Sequence, residues 1–93
     1  MVVGVLQMRL VIREATSLKD KRRVVKSLRE RIRNKFNVSV SEVDALDRRQ
    51  TAVLGVALVT NDGAFADKVM AKVVDLVRRT GGAELVDYET EVL

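Results

Sequence analysis

Thr51-Ala52-Val53-Leu54-Gly55-Val56-Ala57-Leu58-Val59-Thr60 is an almost unbroken apolar run bounded by two threonines. Its alternating faces are both apolar, the pattern of a strand buried on both sides at the centre of a sheet. Upstream, Val38 to Asp44 alternates apolar and polar side chains, and the charged link Asp47-Arg48-Arg49-Gln50 lets the two segments fold back as an antiparallel hairpin. Before that hairpin, Ser17 stands as a helix N-cap with Asp20 three residues on, an acidic variant of the capping box. Leu18, Val25, Leu28, Ile32 and Phe36 then recur on one side of a 3.6-residue period, and Asn37 closes the helix in a left-handed conformation. From Val2 to Arg13 the even positions Val2, Gly4, Leu6, Met8, Leu10 and Ile12 are apolar or small. The odd positions mix Val3, Val5 and Val11 with Gln7, Arg9 and Arg13, so this strand has one buried face and one half-apolar face. Downstream, Asn61 or Asp62 caps a second helix whose apolar side is Ala66, Val69, Met70, Val73, Leu76 and Val77. Gly81-Gly82 supplies its left-handed terminator. Ala83 to Val92 is a last strand, with Glu84, Asp87, Glu89 and Glu91 giving it an acidic edge.

The order strand, helix, strand, strand, helix, strand with short connections predicts an α+β fold. Two split βαβ units make the ferredoxin-like βαββαβ plait, a four-stranded antiparallel sheet with two helices on one face. Ninety-three residues fit one such domain, residues 1–93. With 47% apolar and 32% charged residues the composition is that of a globular chain. There is no cysteine, which removes disulfides and thiolate metal sites, and no histidine, which removes the commonest metal ligand and the usual neutral-pH acid-base group. No metal and no cofactor is expected. Met1 to Ile12 lacks a basic leader and a small-residue cleavage site, so the expected location is the cytoplasm, with no membrane partner.

Ser17 to Lys35 carries nine basic side chains against Asp20 and Glu30, while the formal net charge of the whole chain is only +4. Such asymmetry fits a polyanion. Arg22, Lys26, Arg29 and Arg33 follow the 4-3-4 spacing that keeps them on one stripe of a helix, and Lys19 extends it at the start. Guanidinium groups bond phosphate oxygens in pairs, so this stripe suits a nucleic-acid backbone. The competing reading is a solvated face, but only two local carboxylates are available to neutralise it.

Ser17-Leu18-Lys19-Asp20-Lys21-Arg22, followed after the helix by Phe36-Asn37-Val38-Ser39-Val40-Ser41-Glu42-Val43, resembles the signature of the YlxP-like family, small bacterial proteins of unknown function. The likeness covers essentially the whole chain. It implies a ferredoxin-like fold and, because many members are encoded beside translation and ribosome-maturation factors, a connection with RNA or the ribosome. It implies no known reaction. Members often carry a tryptophan in the hairpin link where this chain has Arg48-Arg49-Gln50, so base stacking at that turn is not expected here.

Lys21 projects into the apolar sector near the helix start. Its stem either snorkels over the core rim or, with Ser17, directs the ammonium at an anion near the helix N-terminus. Asn37, Ser39, Ser41, Glu42 and Asp44 form a second polar cluster. Glu42 and Asp44 are the nearest approach to a carboxylate pair, but without histidine or a phosphate-binding loop they do not amount to a catalytic site. Phe36 and Phe65 read as core. Val3, Val5, Val11, Val53, Ala57 and Val59 should form an apolar patch on the sheet face opposite the helices, where a second copy of the chain would cover it as a homodimer. The expectation is a non-catalytic RNA-binding protein, associated with the ribosome, that uses its basic first helix. The alternative is a structural or regulatory homodimer that binds a protein or small molecule on the sheet face. An acylphosphatase-like hydrolase on the same plait would need an arginine-bearing phosphate loop, where this chain has Glu14-Ala15-Thr16.

Overall fold

The computed structural model describes all 93 residues. Its elements are β1 (Val2–Val11), α1 (Leu18–Lys35), β2 (Ser39–Asp44), β3 (Thr51–Thr60), α2 (Gly63–Arg79) and β4 (Glu84–Val92). The strands form one antiparallel sheet in the order β2-β3-β1-β4, with the apolar run β3 and the long strand β1 at its centre. Their register is unbroken from Val2 opposite Thr60 to Val11 opposite Thr51. This is the ferredoxin-like plait.

Both helices cover the same face. Leu6, Met8, Leu10, Ala52, Leu54, Val56 and Leu58 of the sheet meet Val25, Leu28 and Ile32 of α1 and Ala66, Met70, Val73, Val74 and Val77 of α2 in one core. α2 lies on β1 and β4, and α1 lies on β2 and β3. The close approach of α2 requires glycine at position 4, where an added methyl would stand 3.1 Å from Ala66 Cβ. Asp62, not Asn61, caps α2, accepting from the Ala64 and Phe65 amides. Gly82 has the left-handed φ of 91°, two residues beyond the cap Thr80.

Two local expectations fail. Asn37 is not left-handed; the single non-glycine residue with positive φ is Ala45, at 57°, directly after β2. Phe65 is not core: α2 turns Ala66, Met70, Val73, Val74 and Val77 inward, and Phe65, in its first turn, is 51% exposed.

The opposite face of the sheet is open. It carries Val3, Val5, Gln7, Arg9 and Val11 from β1 beside Val59, Ala57, Gly55, Val53 and Thr51 from β3. Val59 is 68% exposed, whereas Val3, Val5, Val11 and Ala57 are half-buried. Val53 departs from the expected patch, because it is only 2% exposed in the single chain. Arg9, Val43 and Leu46 line a hollow with it. A bulge explains the cover. Glu42 opposes Leu54 and Asp44 opposes Val53, leaving Val43 as an extra residue whose side chain folds over Gly55.

Candidate nucleic-acid interface

α1 turns Lys21, Val25, Leu28 and Ile32 inward. The next residue after each is Arg22, Lys26, Arg29 or Arg33, so the stripe runs down the flank about 100° away, over roughly 16 Å of helix. Arg33 shows where that flank lies: its Nη2 donates to the Val40 carbonyl at 3.1 Å, on the free edge of β2. On the other flank, Val24 lies beside Gly82 after α2. The stripe therefore follows an outer edge of the molecule. Lys19, Arg22, Lys26 and Arg33 are exposed, while Arg29 is half-buried with its Nε lacking a hydrogen-bond partner.

The structure contains three ion pairs: Arg13 with Glu84, Lys21 with Glu42, and Arg23 with Asp20. None involves the five stripe cations. Their charge is uncompensated by any contacting carboxylate, as the composition of the helix predicts.

Lys21 behaves otherwise than expected. It does not snorkel, and no anion can reach it, because the residue has 0% exposure. Its Nζ donates to Glu42 Oε2 at 2.8 Å, to the Ala45 carbonyl at 2.8 Å, to the Leu46 carbonyl at 3.2 Å and to the Thr51 carbonyl at 3.3 Å. Three ammonium protons thus serve four acceptors. Ser17 is also engaged, its Oγ accepting from the Asp20 amide at 3.1 Å, so Ser17 and Lys21 do not form the expected anion site. Asp20 in turn reaches one residue farther back than a capping box requires. The Thr16 hydroxyl (2.7 Å) and the Thr16 amide (3.1 Å) donate to its Oδ2 and, with Arg23 nearby, hold its carboxyl below the ordinary aspartate value.

Glu42 and Asp44 do not converge. Glu42 points under the sheet to Lys21, whereas Asp44 is exposed and accepts from the Ala45 amide at 2.7 Å. No cluster of three or more carboxylates forms a metal site. The Lys21–Glu42 pair escaped the reading of the chain, yet a signal for it exists. A lysine in the apolar sector of α1 and a glutamate on the same alternation as Val38 and Val40 are opposite charges on two inward faces.

The family described as "Protein of unknown function (DUF503)" matches residues 3–90. The chain belongs to this family. Consistent with membership in DUF503, it is 35% identical over 75 residues to "Uncharacterized protein YlxP" of Bacillus subtilis (strain 168), a match covering 81% of this chain and 82% of that protein. Two solved structures share the fold. "De novo designed protein Foldit4" has a TM-score of 0.56 at 16% identity, covering 100% of this chain and 97% of that one. "De novo designed protein LFR1 1 with ferredoxin fold" has a TM-score of 0.56 at 13% identity, covering 99% and 85%. Both designs support the DUF503 fold as ferredoxin-like and say nothing about its activity. No helix of the chain is long and apolar enough to cross a membrane.

Proposed function

We propose that this protein is a cytoplasmic, non-catalytic RNA-binding domain that engages the phosphate backbone of ribosomal RNA through the outer flank of α1. The observation that carries this reading is the absence of any carboxylate partner for Lys19, Arg22, Lys26, Arg29 and Arg33 on a helix edge that is otherwise free. Repulsion among unpaired like charges disfavours the folded helix, and a polyanion relieves it. Binding through phosphates predicts a linear log-log salt dependence, with a slope of about −0.7 per contacted phosphate on a single strand. Arg22→Ala with Lys26→Ala should flatten that slope by roughly 1.4. Unchanged slope and affinity in this double variant would return the stripe to a solvated face.

A second reading, a homodimer closed across the open sheet, is supported by Val59, 68% exposed beside Val3, Val5 and Ala57. Light scattering at micromolar concentration tests it. A dimer mass that falls to the monomer in Val59→Glu is expected; a monomer that persists on concentration would overturn it. The buried Val53 is unsuitable as a probe, because a charge there would unfold the chain.

A further inference from the structure

Lys21 uses a fully buried ammonium to hold a loop. Three of its four acceptors are carbonyls at the two ends of the β2–β3 link, Ala45, Leu46 and Thr51, which draws that link onto the first turn of α1. The other side of the link is fastened to the segment preceding α1. Gln50 Nε2 donates to the Arg13 carbonyl at 3.0 Å and to the Ala15 carbonyl at 3.1 Å, and Arg49 Nη1 reaches the Thr16 carbonyl at 3.5 Å. Ala45 has the left-handed φ of 57° that non-glycine residues rarely adopt, so the tethers stabilise a conformation the link would not keep alone.

What this link presents outward is cationic on balance, Arg48 and Arg49 against the one exposed carboxylate of Asp47. Arg48 and Arg49 are exposed and form no ion pair. They line an open hollow of about 540 Å³ together with Ala15, Thr16, Asp47 and Gln50. Ala15 is the one apolar residue there, and the lining holds no aromatic ring. An acidic peptide would find no apolar anchor, and a base would find nothing on which to stack. A phosphate backbone needs neither, and paired arginine forks suit it.

We propose that the β2–β3 link is a second arm of the RNA-binding surface. In this arm Arg48 and Arg49 contact backbone phosphates beyond the α1 stripe, and Lys21 is the positioning residue that places them. This rests on the reading of α1 as RNA-binding. The ligand would be a strand that runs along the flank of α1 and continues past its N-terminus, recognised by its backbone.

The test uses the full chain and a fluorescent oligouridine of about 20 nucleotides, longer than the roughly 4–16 nucleotides a small single-strand-binding fold covers. Affinity is titrated over a series of salt concentrations. Arg48→Ala with Arg49→Ala should weaken binding roughly tenfold near physiological salt and flatten the slope by about 1.4, with a melting temperature within about 3 °C of the parent, because only the 3.5 Å contact of Arg49 with the Thr16 carbonyl is lost. Lys21→Met should flatten the slope similarly. When Lys21→Met is added to the arginine double variant, the slope should not flatten further, an outcome that general destabilisation would not produce. Should Lys21→Met fail to fold, Gln50→Ala, at an exposed position, is expected to shift the slope in the same direction by less. If Arg22→Ala with Lys26→Ala flattens the slope while the Arg48 and Arg49 variants leave it unchanged, the second arm is overturned and the α1 reading stands. If neither pair matters, both fall. Equal affinity for a polyglutamate peptide at the same salt would overturn the choice of RNA.

Discussion

Lys21 is the residue on which the hairpin end of the molecule depends. Replacing it with methionine keeps the stem but leaves the Glu42 carboxylate without its ion-pair partner and three carbonyls short of a donor, which should cost about 3–5 kcal/mol. Glu42→Gln should cost less, about 1–2 kcal/mol, because a neutral amide oxygen still accepts from the ammonium and the carbonyl contacts persist. Denaturant melts of the two variants check the ranking, and a larger loss for Glu42→Gln would contradict it. Asp20 provides a pH test. Its folded pKa lies below the unfolded value, so its contribution is present above the unfolded pKa and is lost as pH falls through the folded one. Thr16→Val removes the hydroxyl responsible and should reduce the acid-side dependence below about pH 4, leaving neutral pH as the reference. At this scale the chain was only partly legible. The capping Ser17 and the inward placement of Lys21 follow from local spacing. The partner of Lys21 lies 21 residues away in sequence and is set by how β2 is laid beside α1, which no helical projection contains.

Among the elements, those with long, consistent periods were readable and those ending in irregular backbone were not. The inward stripe of α1 and the alternation of β1 follow directly from burial of one face, and the continuous apolar run of β3 fits its place between β2 and β1. The bulge at Val43 has no such signature. It lays Val43 over Gly55, closes Val53 off from solvent, and thereby removes one residue from the apolar patch that simple alternation assigns to the open face. Gly55 is the position that makes this arrangement possible. A methyl there would lie 2.9 Å from Val43 Cγ1, so Gly55→Ala must displace the Val43 side chain or open the bulge. The expected cost is about 1–3 kcal/mol. Gly55→Ala combined with Val43→Ala should recover much of it in a thermal melt, and no recovery would locate the strain elsewhere.

Across the whole molecule, charge is segregated by the order of the strands. α1 lies along the free edge of β2, while the opposite edge is β4 with Glu84, Asp87, Glu89 and Glu91. With strands about 4.8 Å apart, the two edges of a four-stranded sheet stand roughly 14 Å from one another, before the height of the helix is added. That exceeds the Debye length of about 8 Å at physiological ionic strength but is well within the 30 Å that applies near 0.01 M. The acidic edge therefore acts on a polyanion at α1 only when salt is low. Asp87→Asn, Glu89→Gln and Glu91→Gln together remove three carboxylates while sparing the Glu84 pair with Arg13. This variant should change RNA affinity by less than about twofold near 0.15 M salt and strengthen it several-fold near 0.01 M, with stability altered by no more than about 0.5 kcal/mol. Equal strengthening at both salt concentrations would mean that RNA passes close to β4, and the interface would then have to be moved from the edge of α1 to the open face of the sheet.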